Sequence, residues 1–192
     1  KGRERGIRKL MSINLLKRLE SSVNSFRLSL NRILGFISAT VEKINSLDTG
    51  HGTTRTTVDE YDFSSGLDLD EQEDIFIGGK KTQIALEDMD YFGWKKYLDK
   101  DIETLMLLLL MLADITPEHD SKLLQLIDDL SYKFANPING NNKKVIIFTA
   151  FSDTAEYLYD NLAERIKEKH NLHTALITGS SDAKSTVRIP NR

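Results

Sequence analysis

The chain has 192 residues, 40% of them hydrophobic and 29% charged, and it carries no cysteine. That mix suits a globular protein in a reducing compartment such as the cytoplasm, and it excludes a disulfide framework, a thiolate metal site and a cysteine nucleophile. A formal net charge of -3 argues against a generally basic, nucleic-acid-coating protein, although the first 18 residues carry Lys1, Arg3, Arg5, Arg8, Lys9, Lys17 and Arg18 against Glu4 alone.

From about Arg8 to Leu47 the apolar residues Leu10, Ile13, Leu16, Leu19, Val23, Phe26, Leu30, Ile33, Leu34, Ile37, Val41 and Ile44 step by three and four. This is helical periodicity, and it predicts one long helix or two in succession, with Gly35 as the point of bending or division. From Asp48 to Asp90 the pattern collapses into turn residues and then an acidic stretch (Asp59, Glu60, Asp62, Asp68, Asp70, Glu71, Glu73, Asp74), which reads as an inserted, unstructured connection. Tyr91, Phe92, Trp94, Tyr97 and Leu98 form an aromatic stripe at the start of the next helix, which continues through the run Leu105 to Leu112 as a core helix. That run falls far short of the roughly 20 residues a membrane span needs. Pro117 is expected to open a further helix reaching about Phe134, with Leu123, Leu126, Ile127 and Leu130 inward.

After the loop at Asn136 to Asn142, Val145-Ile146-Ile147-Phe148 reads as a strand buried on both faces. Ser152 or Asp153 is expected to cap a helix whose Ala155, Leu158, Tyr159, Leu162 and Ile166 share a face, and a second strand follows at His173 to Thr178. Strand, helix and strand at this spacing form a βαβ unit with parallel strands. The expected fold class is therefore α/β but mostly helical: a helical region, then the opening βαβ unit of a parallel sheet. The segments are 1–47 (helical), 48–90 (acidic insert), 91–142 (helical) and 143–192 (partial α/β lobe).

Several local patterns imitate functional motifs. Gly78-Gly79-Lys80-Lys81-Thr82 lacks the spacing of a phosphate loop, with Asp74 where its first glycine belongs and Lys81 ahead of the threonine. Asp70-Glu71 does not end an apolar strand, as a magnesium-binding acid pair must. His170 and His173 flank a helix end, so their side chains diverge, and His51 and His119 have no ligand partners in sequence. Ser21-Ser22 and Ser180-Ser181 lack a recognisable base. The aromatic stripe around Trp94 is expected in the core, not on a base-stacking surface. No catalytic and no metal-binding residue is assigned.

Two passages resemble the bacterial Swi/Snf-like branch of superfamily 2 helicases. The first is Asn14-Leu15-Leu16-Lys17-Arg18-Leu19-Glu20-Ser21-Ser22 with Phe26-Arg27 following, similar to the segment that joins the family's two motor lobes. The second is Lys143-Lys144-Val145-Ile146-Ile147-Phe148-Thr149-Ala150-Phe151-Ser152-Asp153-Thr154-Ala155, similar to the first strand of the second lobe (motif IV) and the helix after it. Asp120-Ser121-Lys122-Leu123 resembles the lead-in to that lobe.

The resemblance implies a fragment of an ATP-dependent translocase acting on double-stranded DNA, with RNA the alternative. It spans the interlobe helical region and the start of a RecA-like C-terminal lobe. ATP and Mg2+ would then belong to the full-length parent, an ATP hydrolase. Its N-terminal motor lobe and the rest of the second lobe would be this segment's partners, and no membrane is involved. This chain holds neither the phosphate loop and acid pair nor the motif VI arginines, so no ATPase is expected from it alone. The resemblance places Thr149, Phe151, Ser152, Gly179, Ser180 and Ser181 along the nucleic-acid backbone, at strand ends and a helix N-terminus. It also makes Lys17, Arg18 and Glu20 an interlobe polar network. Arg18 and Glu20 lie two apart, share no helical face, and must each find other partners. The rival expectation is a non-catalytic helical interaction module with a small α/β domain. The motor reading depends on 144–149 and 173–178 lying side by side and parallel; finding them unpaired, or paired antiparallel, would end the case for it.

Overall fold

The computed structural model describes residues 2–48, 57–58, 84–85, 90–179 and 182–187, with side chains from residue 5 onward. The described residues form five helices, α1 (Gly2–Ser21), α2 (Val23–Asp48), α3 (Tyr91–Met111), α4 (Ser121–Ala135) and α5 (Ser152–His170). Four two-residue strands accompany them: β1 (Thr57–Val58), β2 (Ile84–Ala85), β3 (Ala175–Leu176) and β4 (Lys184–Ser185). The mostly helical expectation holds. Among the described residues, no helix is long and apolar enough to cross a membrane.

The chain divides into two compact units, Lys1–Phe26 with Asp114–Arg192, and Arg27–Ala113, so the boundary falls within α2. This differs from the four consecutive segments read from the sequence, because the first unit joins residues far apart in the chain.

In the unit Arg27–Ala113, Ile44 is fully buried against Leu98, with Phe36, Ile37, Val41, Tyr91 and Trp94 packed around them. Gly35 does not break α2; the break lies at Ser22, whose hydroxyl accepts the Ser25 N–H at 3.0 Å and so caps α2. Asp90 caps α3 by accepting from the Gly93 N–H. At the other end, the Arg27 guanidinium donates to the Leu112 carbonyl at 2.6 Å, offsetting one orphan acceptor of the last turn. Two expectations fail here. The aromatic stripe is only partly internal, since Phe92 and Tyr97 are exposed. The Leu105 to Leu112 run is not a buried core helix, because Met106, Leu107, Leu110 and Met111 are all more than half exposed. Apolar residues at every consecutive position cover all sides of a helix, and one packing partner covers only one side. The expected unstructured insert contains an antiparallel pair, Thr57 opposite Ala85 and Val58 opposite Ile84. The acidic stretch, His51 and the Gly78 to Thr82 sequence lie outside the described residues.

In the other unit, Leu123, Leu130 and Phe134 of α4 pack on Leu162 of α5, with Leu126, Ile127, Tyr157, Leu158, Ile166 and Leu172 at the margin. The N-terminal residue of α4 is set by Asp120, not Pro117. One Asp120 oxygen accepts the Lys122 and Leu123 N–H groups at 3.0 and 3.1 Å, and the other accepts the Tyr157 hydroxyl of α5 at 3.0 Å. Asp120→Ala is expected to cost about 1–2 kcal/mol in urea denaturation, with Asp120→Asn costing less because a cap oxygen remains. At the end of α5, Asn171 adopts a left-handed conformation (φ 52°) and its N–H bonds the Lys167 carbonyl at 3.0 Å.

The expected parallel pair is not formed. Residues 143–149 make no ladder with any described residue, and Ile146 and Phe148 are 77% and 89% exposed. β3 pairs instead with β4, antiparallel, Ala175 opposite Ser185 and Leu176 opposite Lys184. Sequence proximity explains the outcome. β4 begins eight residues after β3 ends, a separation that suffices for antiparallel pairing, whereas a parallel strand buried on both faces needs neighbours and cover on each side.

Candidate functional site

Polar residues converge where the C-terminal end of α1 meets the first turn of α5. Arg18, Ser22 and Ser25 follow one another at i, i+4 and i+7, which places them along one side of the helical path, and all three are buried. Arg18 is 4% exposed. Its Nη1 donates to Asp153 Oδ2 at 2.8 Å and to Ser25 Oγ at 3.2 Å. The same guanidinium lies 4.7 Å from the centroid of the Phe151 ring, within cation–π range. Asp153 sits in the first turn of α5, where the helix dipole favours a negative side chain.

Hydroxyls extend this ion pair. Ser21 Oγ lies 2.9 Å from Thr154 Oγ1 and 3.4 Å from Thr149 Oγ1, and Ser22 Oγ lies 3.2 Å from Thr154 Oγ1. Thr149 also accepts the Phe151 N–H at 3.4 Å. Phe151, with extended backbone, is the N-cap residue of α5 and makes no side-chain cap bond, so neither Ser152 nor Asp153 caps this helix. The Glu20 carbonyl accepts from the Lys122 ammonium, tying the end of α1 to α4.

The expected residues thus fall into three groups. Arg18 is central, Glu20 participates through its backbone, and Lys17 is exposed on the outer surface of α1. Thr149 and Phe151 lie inside the joint. Phe151 is 3% exposed beneath Arg18, which leaves no ring face for a base. Ser152 is half-buried at the first position of α5, while Gly179 is exposed beyond β3; Ser180 and Ser181 lie outside the described residues. Sequence reasoning missed Ser21, Ser22, Ser25 and Thr154, and considered Asp153 only as a cap. The available signal was Arg18, Ser22 and Ser25 repeating at helical spacing within an apolar pattern.

The histidines go separate ways, as their positions suggested. His170 packs edge-on to Phe134 at 5.0 Å, while His173 contacts Lys167 Nζ at 2.9 Å and Thr186 Oγ1 at 3.3 Å. Among the described residues, no group of three or more His, Cys, Asp or Glu side chains is placed to hold a metal ion. The ATP and magnesium implied by the resemblance would be held by motifs that this sequence does not contain, so its own residues supply no ligand set for them. No protein-family model matches the chain, and neither a curated protein nor a solved structure matches it.

Proposed function

We propose that this chain is part of a superfamily 2, Swi/Snf-like DNA-dependent ATPase, comprising the helical segment between the motor lobes and the opening of the second lobe. One observation supports the reading. The two passages that carry the resemblance are 135 residues apart at Arg18 and Asp153, and they meet through that buried ion pair. Chance likeness in two separate segments gives no reason for their polar residues to be mutually complementary. In a two-lobe motor, displacement of one lobe must reach the other through the connecting segment. A buried ion pair flanked by five hydroxyls is a stiff joint for that purpose.

The parallel pair on which the motor reading depends is absent among the described residues, so the reading now requires that 145–148 find its strand neighbours elsewhere in the gene product, while Thr149 acts in the joint. DNA is the expected substrate, with RNA the alternative; ATP and Mg2+ are bound by the full-length parent. A second reading, a non-catalytic helical interaction module, is favoured by the unpaired 143–149 segment and the antiparallel β3–β4 pair. ATP hydrolysis by the complete gene product, with and without duplex DNA, separates the two. Stimulation by DNA is expected, and Arg18→Ala is expected to lower the stimulated rate about tenfold, the equivalent of roughly 1.4 kcal/mol. A gene product that has no phosphate loop, or that hydrolyses no ATP with DNA present, overturns the motor.

A further inference from the structure

We infer that the outward side of α1, formed by Arg5, Arg8 and Lys9, is a contact surface for the phosphate backbone of duplex DNA, an inference that rests on the function proposed above. At 3.6 residues per turn these three side chains fall within one arc of about 100°. Arg18, which faces the interior joint, lies on the other side of the helix. All three basic residues are exposed, and none forms an ion pair with another described side chain. Like charges at i, i+3 and i, i+4 disfavour a helix; Glu4, four residues before Arg8 in the sequence, is the nearest acidic residue and offsets at most one of the three, leaving a net positive cluster that an external anion would stabilise. Toward the C-terminus the next acidic residue of α1 is Glu20, about 20° outside this arc and roughly 16 Å along the axis from Lys9. That exceeds the screening length of about 8 Å at physiological salt.

The residue pattern of α1 favours a nucleic acid over an anionic membrane. A membrane-surface helix needs a continuous apolar face opposite its charges. In α1 the exposed Ile7, Ile13 and Leu16 are spread around the circumference instead.

The test is fluorescence anisotropy of a labelled duplex of about 20 base pairs, titrated with the 192-residue chain over a range of salt. Three phosphate contacts give a slope of roughly −3 in log affinity against log salt concentration. Arg8→Gln with Lys9→Gln should flatten that slope by about 2 and weaken binding at low salt by about tenfold. Lys96→Gln with Lys100→Gln removes the same charge from exposed positions on α3 and should leave both unchanged. Equal loss in the α3 variant, or absence of duplex binding by the folded chain, overturns the surface. So does binding to phosphatidylserine vesicles without binding to duplex. None of these outcomes alters DNA-stimulated ATP hydrolysis by the complete gene product, which decides the motor reading separately.

Discussion

Asp153→Ala is expected to destabilise its unit by about 3 kcal/mol, because it leaves the Arg18 guanidinium buried without its counter-charge. The two side chains are 5% and 16% exposed, and their atoms are 2.8 Å apart. Ser25 and the Phe151 ring remain near the cation after the substitution, but a neutral hydroxyl and a ring face offset only part of the desolvation. Replacing both partners removes the stranded charge, so Arg18→Met with Asp153→Leu should cost less than Asp153→Ala alone. Urea denaturation followed by far-ultraviolet circular dichroism on the three proteins reads the comparison. An Asp153→Ala variant as stable as the native chain would show that water reaches Arg18 and that the pair is not a joint at all.

This joint also marks how far the sequence could be read. Helix periodicity depends on local spacing, and the stretches around α1, α2, α4 and α5 were legible for that reason. Their ends were less so. Asp120 displaced Pro117 as the start of α4 because its carboxylate satisfies two helix amides and a tyrosine hydroxyl of another helix, and the last bond is invisible in local sequence. Ser22 took the break that Gly35 was expected to make because a cap bond decides a helix start, while an isolated glycine inside a helix costs only about 1 kcal/mol. Burial was the least legible property. The apolar runs at 105–112 and 145–148 look alike in sequence to core elements, yet side chains such as Leu110 and Phe148 are exposed. Hydrophobicity states what a residue would gain from cover; it does not supply the cover. Arg18 was legible as part of a polar network but its counter-ion was not, since Asp153 lies 135 residues away.

Phe134→Ala should be the most damaging single truncation in the α4–α5 core, at about 3–5 kcal/mol. The ring is 6% exposed, packs among Leu123, Leu130 and Leu162, and meets the His170 ring edge-on. Truncation leaves a cavity that two helices cannot close without disturbing the Asp120–Tyr157 bond between them. Phe134→Leu keeps most of the volume and should cost about 1.5 kcal/mol or less. The cost should also be independent of the polar joint. Leu162 lies roughly 13 Å along α5 from Asp153 at 1.5 Å per residue; Phe134 packs with Leu123, Leu130 and Leu162, while Arg18 meets Asp153, Ser25 and Phe151. Sites separated by more than about 10 Å usually add to within about 0.5 kcal/mol, so the double variant Phe134→Ala with Asp153→Ala should cost the sum of the singles. A coupling well above that would mean α5 transmits strain from its hydrophobic middle to its first turn, and the joint would then be set by core packing and not by its own charges.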